Sequence, residues 1–78
     1  MAKVNLYAAA RAAAGAELLE IEASTLGILI EKLTSKNSEL AKLLPTCSYL
    51  LNGESCEDLN RVLAEGDNID VLPQFAGG

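Results

Sequence analysis

Asn52-Gly53 lies between two stretches that read as extended, Ser48-Tyr49-Leu50-Leu51 and Glu54-Ser55-Cys56. An Asn-Gly pair in that setting marks a two-residue type I′ turn, because both central residues must take positive φ and these two types tolerate it. Such a turn fixes the register as well as the fold-back. Leu51 falls opposite Glu54, and Tyr49 opposite Cys56. Antiparallel sheet is therefore part of any fold this chain adopts.

The remaining segments supply partners for that hairpin. Lys3-Val4-Asn5-Leu6-Tyr7 alternates, with Val4 and Leu6 on one face, and reads as a first strand. Ala8 to Ala14 is alanine around Arg11, the best helix-forming composition, and Gly15 stands at the usual stop position. At about two turns this helix must be held by packing rather than propensity. Glu17-Leu18-Leu19-Glu20-Ile21-Glu22 alternates again, with Leu19 and Ile21 inward, and pairs most simply antiparallel to the first strand.

Ser24 or Thr25 can cap the next helix, in which Leu26, Leu29, Ile30 and Leu33 form one apolar stripe. Gly27 in its first turn costs about 1 kcal/mol relative to alanine, less than the stripe gains by burial. This principal helix is expected to end near Ser35-Lys36-Asn37. A shorter helical piece, Ser38 to Leu44, is stopped by Pro45. Asp58 to Leu63 reads as one or two helical turns. Glu65-Gly66-Asp67-Asn68 is a polar turn, in which acidic residues serve as turn formers. Ile69-Asp70-Val71-Leu72 is the last strand, placed beside the first in the middle of the sheet. The expected class is α+β, a mixed β-sheet with one principal helix packed on one face.

Seventy-eight residues make one small domain, 1–78. The net charge of −5 argues against nucleic-acid binding, which needs a basic face. No run approaches the roughly 18 apolar residues of a membrane span, and Met1-Ala2-Lys3 leads straight into a strand, so neither membrane nor signal peptide is expected. With no histidine and two cysteines, neither a bound metal nor a resident cofactor is expected. Cys47 lies one diagonal step from Cys56, poor geometry for a disulfide that wants Cα atoms about 4.4–6.8 Å apart. Two free thiols in a reducing cytoplasm follow. Glu54, Glu57 and Asp58 would discourage a thiolate nucleophile at Cys56.

The chain closes on Leu72-Pro73-Gln74-Phe75-Ala76-Gly77-Gly78. Proline offers no N–H to a ladder, so pairing should stop at Pro73 and leave a flexible tail, 73–78. Five extended residues at about 3.3–3.6 Å each would reach roughly 17 Å. Gly77 and Gly78 could enter a channel that any Cβ would block. The carboxylate of Gly78 is a poor electrophile until adenylation by ATP supplies a leaving group. A sulfur donor would then leave a thiocarboxylate. The alternative is an inert, frayed end.

The element order, Asn52-Gly53-Glu54, Glu65-Gly66-Asp67 and Gly77-Gly78 together resemble the ubiquitin-like β-grasp sulfur carriers of the MoaD/ThiS family. Val4-Asn5-Leu6-Tyr7-Ala8-Ala9-Ala10-Arg11, the tail with its proline, and the length are most similar to the MoaD-type small subunits of molybdopterin synthase. Phe75 is larger than the valine of that pattern. The resemblance implies a protein that is not an enzyme alone, with Gly78 as the site of adenylation and thiocarboxylation and Gly77 allowing the tail to thread. It implies two partners, the molybdopterin synthase large subunit and an E1-like adenylyltransferase that consumes the ATP. It also implies sulfur delivery to a pterin precursor. A thiazole- or cysteine-pathway carrier and a protein modifier are the alternatives.

Partner-binding residues follow from the strand phases. If Ile69 and Val71 face the helix, Leu72 faces away with Asn5 and Tyr7. Tyr7, Leu72 and Phe75 can then form an apolar patch on the open sheet face, and such patches commonly meet partners. Arg11 can pair with a partner's acidic group or with Glu17 or Glu20.

Overall fold

A computed structural model describes residues 1–73 of the chain. The hairpin forms as its sequence requires: β3 (Cys47–Leu51) and β4 (Glu54–Ser55) pair antiparallel, Leu51 across from Glu54. Asn52 at φ 51° and Gly53 at φ 88° make the two-residue turn. The Cys56 N–H donates to the Tyr49 carbonyl at 3.0 Å, the expected opposition.

The other strands are β1 (Ala2–Leu6), β2 (Leu18–Ile21) and β5 (Asn68–Pro73), and the sheet runs β2-β1-β5-β3-β4. β1 is antiparallel to β2 and parallel to β5; β5 is antiparallel to β3. The last strand thus lies in the middle of the sheet, as its apolar composition calls for. It is a residue longer at each end than the apolar run: Pro73 still stands opposite Cys47. A terminal strand position is one of the few a proline tolerates.

One face is covered by α1 (Ala8–Ala14), α2 (Leu26–Lys36) and α3 (Ser38–Leu43). Val4, Ile69 and Val71 meet Leu26, Leu29, Leu33 and Leu40 there, all with no measurable exposure. Each such side chain stabilises the fold by about 1.5–3 kcal/mol on burial. Thr25 is the cap of α2, its Oγ1 accepting from the Ile28 N–H at 3.3 Å. Gly15, at φ 72°, ends α1 and donates its N–H to the Arg11 carbonyl at 2.9 Å. Asn37 does double duty: its Oδ1 accepts from the Glu39 and Leu40 N–H groups, and its Nδ2 donates to the Ala13 carbonyl at 2.9 Å. This side chain binds the end of α1, whose two turns cannot stand alone, to the start of α3.

Two local expectations need correction. The helical piece after Asn37 ends at Leu43, and Pro45 sits inside a following 3-10 turn, Leu44–Thr46. Proline fits an opening turn because its N–H has no intrahelical partner there. Residues 58–63 are not helical beyond one turn, closed by the Arg61 N–H on the Asp58 carbonyl at 3.0 Å. Beyond that turn Val62 makes a single antiparallel bridge to Thr25. The reason is the start of α2, whose first N–H groups lack partners within the helix. Leu26 donates to the Arg61 carbonyl at 3.0 Å and Gly27 to the Leu59 carbonyl at 2.9 Å; Leu63 donates back to Ser24 at 2.9 Å. With the Leu63 N–H spent on Ser24, the Leu59 carbonyl has no donor four residues on to continue a helix.

That docking explains Gly27. A Cβ there would lie 3.0 Å from the Leu59 carbonyl oxygen and 3.3 Å from the Leu59 Cβ. The glycine is a requirement of close approach, not merely a flaw in the helix.

Candidate functional site

The strand phases that bury Val4, Leu6, Ile69 and Val71 turn Lys3, Asn5, Asp70 and Leu72 to the uncovered face. On β3 they bury Leu51 and turn Ser48 and Leu50 outward. On β2 they expose Leu18, at 49%, and Glu20.

Tyr7 follows β1 in extended conformation (φ −122°, ψ 152°), and Ala8 at φ 50° then swings the chain into α1. Since Leu6 pairs with Val71 in the parallel register, Tyr7 comes beside Leu72. Tyr7 is 44% exposed and Leu72 half-buried. The structure therefore places these two candidates together on the open face. Leu18 and Leu50 share that face and were missed. Their phase, opposite to Ile21 and Leu51, was the available signal.

The patch is not purely apolar. Asp70 lies at its centre and accepts at Oδ1 from Asn5 Nδ2 at 3.0 Å and from the Tyr7 hydroxyl at 3.4 Å. Arg11 stands at the margin, its Nη1 3.0 Å from Glu17 Oε1, both side chains largely exposed. Such a pair contributes about 0–1 kcal/mol. Asn5, Leu6, Tyr7, Arg11 and Glu17 line a shallow cleft of about 250 Å³ beside the patch. Phe75, Gly77 and Gly78, with the rest of the expected tail beyond Pro73, lie outside the described residues.

The turn before β5 is clasped to the hairpin. Asn52 exchanges backbone and side-chain bonds with Asn68 at 2.8 and 2.9 Å, and its Nδ2 donates to Asp67 Oδ1 at 3.1 Å. The Ala64 N–H donates to Asp67 Oδ2 at 2.7 Å. That bond first, then the Asn52 amide and the charge of Arg61, hold the Asp67 carboxyl below its ordinary value. Asp67 is thus a structural clasp at the start of the central strand, as a turn residue should be.

The cysteines are free thiols, Cys47 half-buried and Cys56 buried. Burial pushes the Cys47 thiol up, away from the thiolate that a nucleophile needs. Burial, and then the neighbouring Cys47, push Tyr49 up to about 12, and its hydroxyl donates to the Leu44 carbonyl at 3.0 Å. Among the described residues no group of three or more His, Cys, Asp or Glu is placed to hold a metal ion. No described helix is long and apolar enough to cross a membrane.

A mixed sheet in this strand order, with a principal helix across one face and the last strand at its centre, is the ubiquitin-like β-grasp fold. The chain belongs to the ThiS family, whose sequence pattern matches residues 4–78. It is thereby a ThiS/MoaD-type sulfur-carrier or ubiquitin-like protein. Among solved structures, the small archaeal modifier protein 1 of Methanosarcina acetivorans is 26% identical, with a TM-score of 0.88 over 99% of this chain and 95% of that one. A chain in the complex of subunits 1 and 2 of the molybdopterin-converting factor from Helicobacter pylori is 30% identical, with a TM-score of 0.77 over 99% and 97%. A chain of the BexX/CysO complex from Amycolatopsis orientalis shares the fold at 21% identity and a TM-score of 0.80, over the whole of both chains. No curated protein sequence matches the chain.

Proposed function

We propose that this chain is the sulfur-carrying small subunit of a molybdopterin synthase, inactive as an enzyme by itself. The observation that carries the choice of pathway is the 30% identity, over nearly the whole length, to a chain of a molybdopterin-converting factor complex. The chemistry rests on the sequence Gly77-Gly78, five residues beyond the central strand that Pro73 ends. In this reading an E1-like adenylyltransferase joins the Gly78 carboxylate to AMP, with pyrophosphate leaving ATP. A sulfur donor then attacks the carbonyl, AMP departs, and a thiocarboxylate remains. Its sulfur is passed to a pterin precursor inside the large subunit.

The body's part is placement. Tyr7, Leu72, Leu18 and Leu50 give the partner an apolar face beside the root of the tail, Phe75 of the tail supplies a further apolar contact to that partner, and Arg11 offers a charged margin. Because both partners need the same tail, their complexes exclude one another.

Intact-mass measurement after incubation with ATP, a sulfide source and the adenylyltransferase tests this. The expected result is the mass gain of one oxygen-to-sulfur exchange at the C-terminal residue, followed by its loss on adding large subunit and pterin precursor. Deleting Gly78 should abolish the exchange while leaving large-subunit binding in place. No mass gain would overturn the carrier reading. A second reading, a modifier joined through Gly78 to lysines, is favoured by the TM-score of 0.88 to a small archaeal modifier protein. Ladders of heavier conjugates in extracts would select it.

A further inference from the structure

The described strands turn three charged side chains to the open face: Lys3, Glu20 and Asp70. Lys3 stands directly across from Glu20 in the antiparallel register, so opposite charges face one another. Asp70 has no such neighbour. It stands across from Asn5 on one side and Leu50 on the other, both neutral. Its two donors, Asn5 Nδ2 and the Tyr7 hydroxyl, both bind Oδ1. Among the described residues no side chain donates to Oδ2, and no cation lies within ion-pair distance.

These contacts engage Oδ1 alone and leave Oδ2 without a donor among the described residues. Around the carboxylate stand Tyr7, Leu72 and Leu50. A partner that seals an apolar face over a half-buried carboxylate strips water from it, which is strongly unfavourable unless a cation or donor takes the water's place. Charge complementarity thus specifies the occupant more narrowly than the apolar patch does.

We propose that the protein surface covering this face is apolar around a single arginine or lysine, and that this cation docks on Asp70 Oδ2. Asp70 is then a specificity-determining residue: it admits a partner with a cation opposite the middle of β5 and rejects one that is apolar or acidic there. Asn5 and the Tyr7 hydroxyl are positioning residues that act through the carboxylate. The inference rests on the reading of this chain as the small subunit, with the large subunit as the partner in question.

The test is titration calorimetry and dissociation kinetics of the full chain with the molybdopterin synthase large subunit, for wild type, Asp70→Asn, Asp70→Glu and Glu20→Gln. Asp70→Asn keeps an acceptor for Asn5 and Tyr7 but replaces Oδ2 with an amide donor. Binding should weaken about 10- to 100-fold, mainly through faster dissociation. Glu20→Gln removes an exposed charge and should change affinity only about two- to threefold, chiefly through the association rate. Asp70→Glu retains the charge and should recover part of the loss, which separates a charge effect from misfolding. Wild-type affinity in Asp70→Asn, or equal losses in the Asn and Glu variants, would overturn the inference and leave the functional reading standing. Failure of wild type to bind the large subunit would overturn that reading first, and this inference with it.

Discussion

Replacing Gly27 by alanine should destabilise the protein, against the usual rule for glycine inside a helix. By helix propensity alone the change gains about 1 kcal/mol. The structure sets a larger cost against that gain. The new Cβ would stand 3.0 Å from the Leu59 carbonyl oxygen, a backbone atom that cannot swing aside like a side-chain tip. Relief requires residues 58–63 to back away from α2. That lengthens the 2.9 Å bond from the Gly27 N–H to Leu59 and strains its neighbours, Leu26 to Arg61 and Leu63 to Ser24. Losing one such bond and weakening a second costs about 1–3 kcal/mol. The net effect is a loss of about 1 kcal/mol, or roughly 4–8 °C in Tm for a domain of this size. Urea unfolding followed by far-UV circular dichroism should show a lower midpoint at unchanged slope. Hydrogen exchange at residue 27 should speed up as well. A variant more stable than wild type by the full propensity gain would refute the argument, since residues 58–63 would then yield at no cost.

Two further changes probe the clasps that hold the sheet and helices together. Asn37→Ala removes both the cap of α3 and the bond to Ala13, and should cost about 1–2 kcal/mol in the same urea assay; a change under about 0.5 kcal/mol would show that α1 is held without it. Asp67 is held below its ordinary 3.8, so its contribution is present above that pH and is lost as pH falls through the lower folded value. The stability gap between wild type and Asp67→Asn should therefore be widest at neutral pH and close in acid. A gap independent of pH would contradict the clasp.

Much of this was written in short-range pattern. Alternation at Val4 and Leu6, and again at Leu19 and Ile21, gave the strand phases. Asn52-Gly53 gave a register, and Thr25 with the stripe from Leu26 to Leu33 gave the principal helix. The same alternation places Tyr7 and Leu72 on the uncovered face, and the phase opposite to Ile21 and Leu51 marks Leu18 and Leu50 for it too. What escaped was non-local. Residues 58–63 look helical alone, but their carbonyls are claimed by N–H groups of Leu26 and Gly27, more than thirty residues earlier in the chain. Gly27 looks like a defect until Leu59 is seen against it. Asp70 reads as one acid among eleven; only the sheet order, which sets it between Asn5 and Leu50, makes it the charge without a counterpart.

The central position of β5 has a mechanical consequence. Hydrogen-bond ladders run along both its sides, to β1 in the same direction and to β3 in the opposite one. A pull applied at Pro73 loads both ladders in shear, so their bonds share the force and must yield together rather than peel one by one. Any force carried by the chain beyond that proline would therefore strain the body along the axis where it gives least.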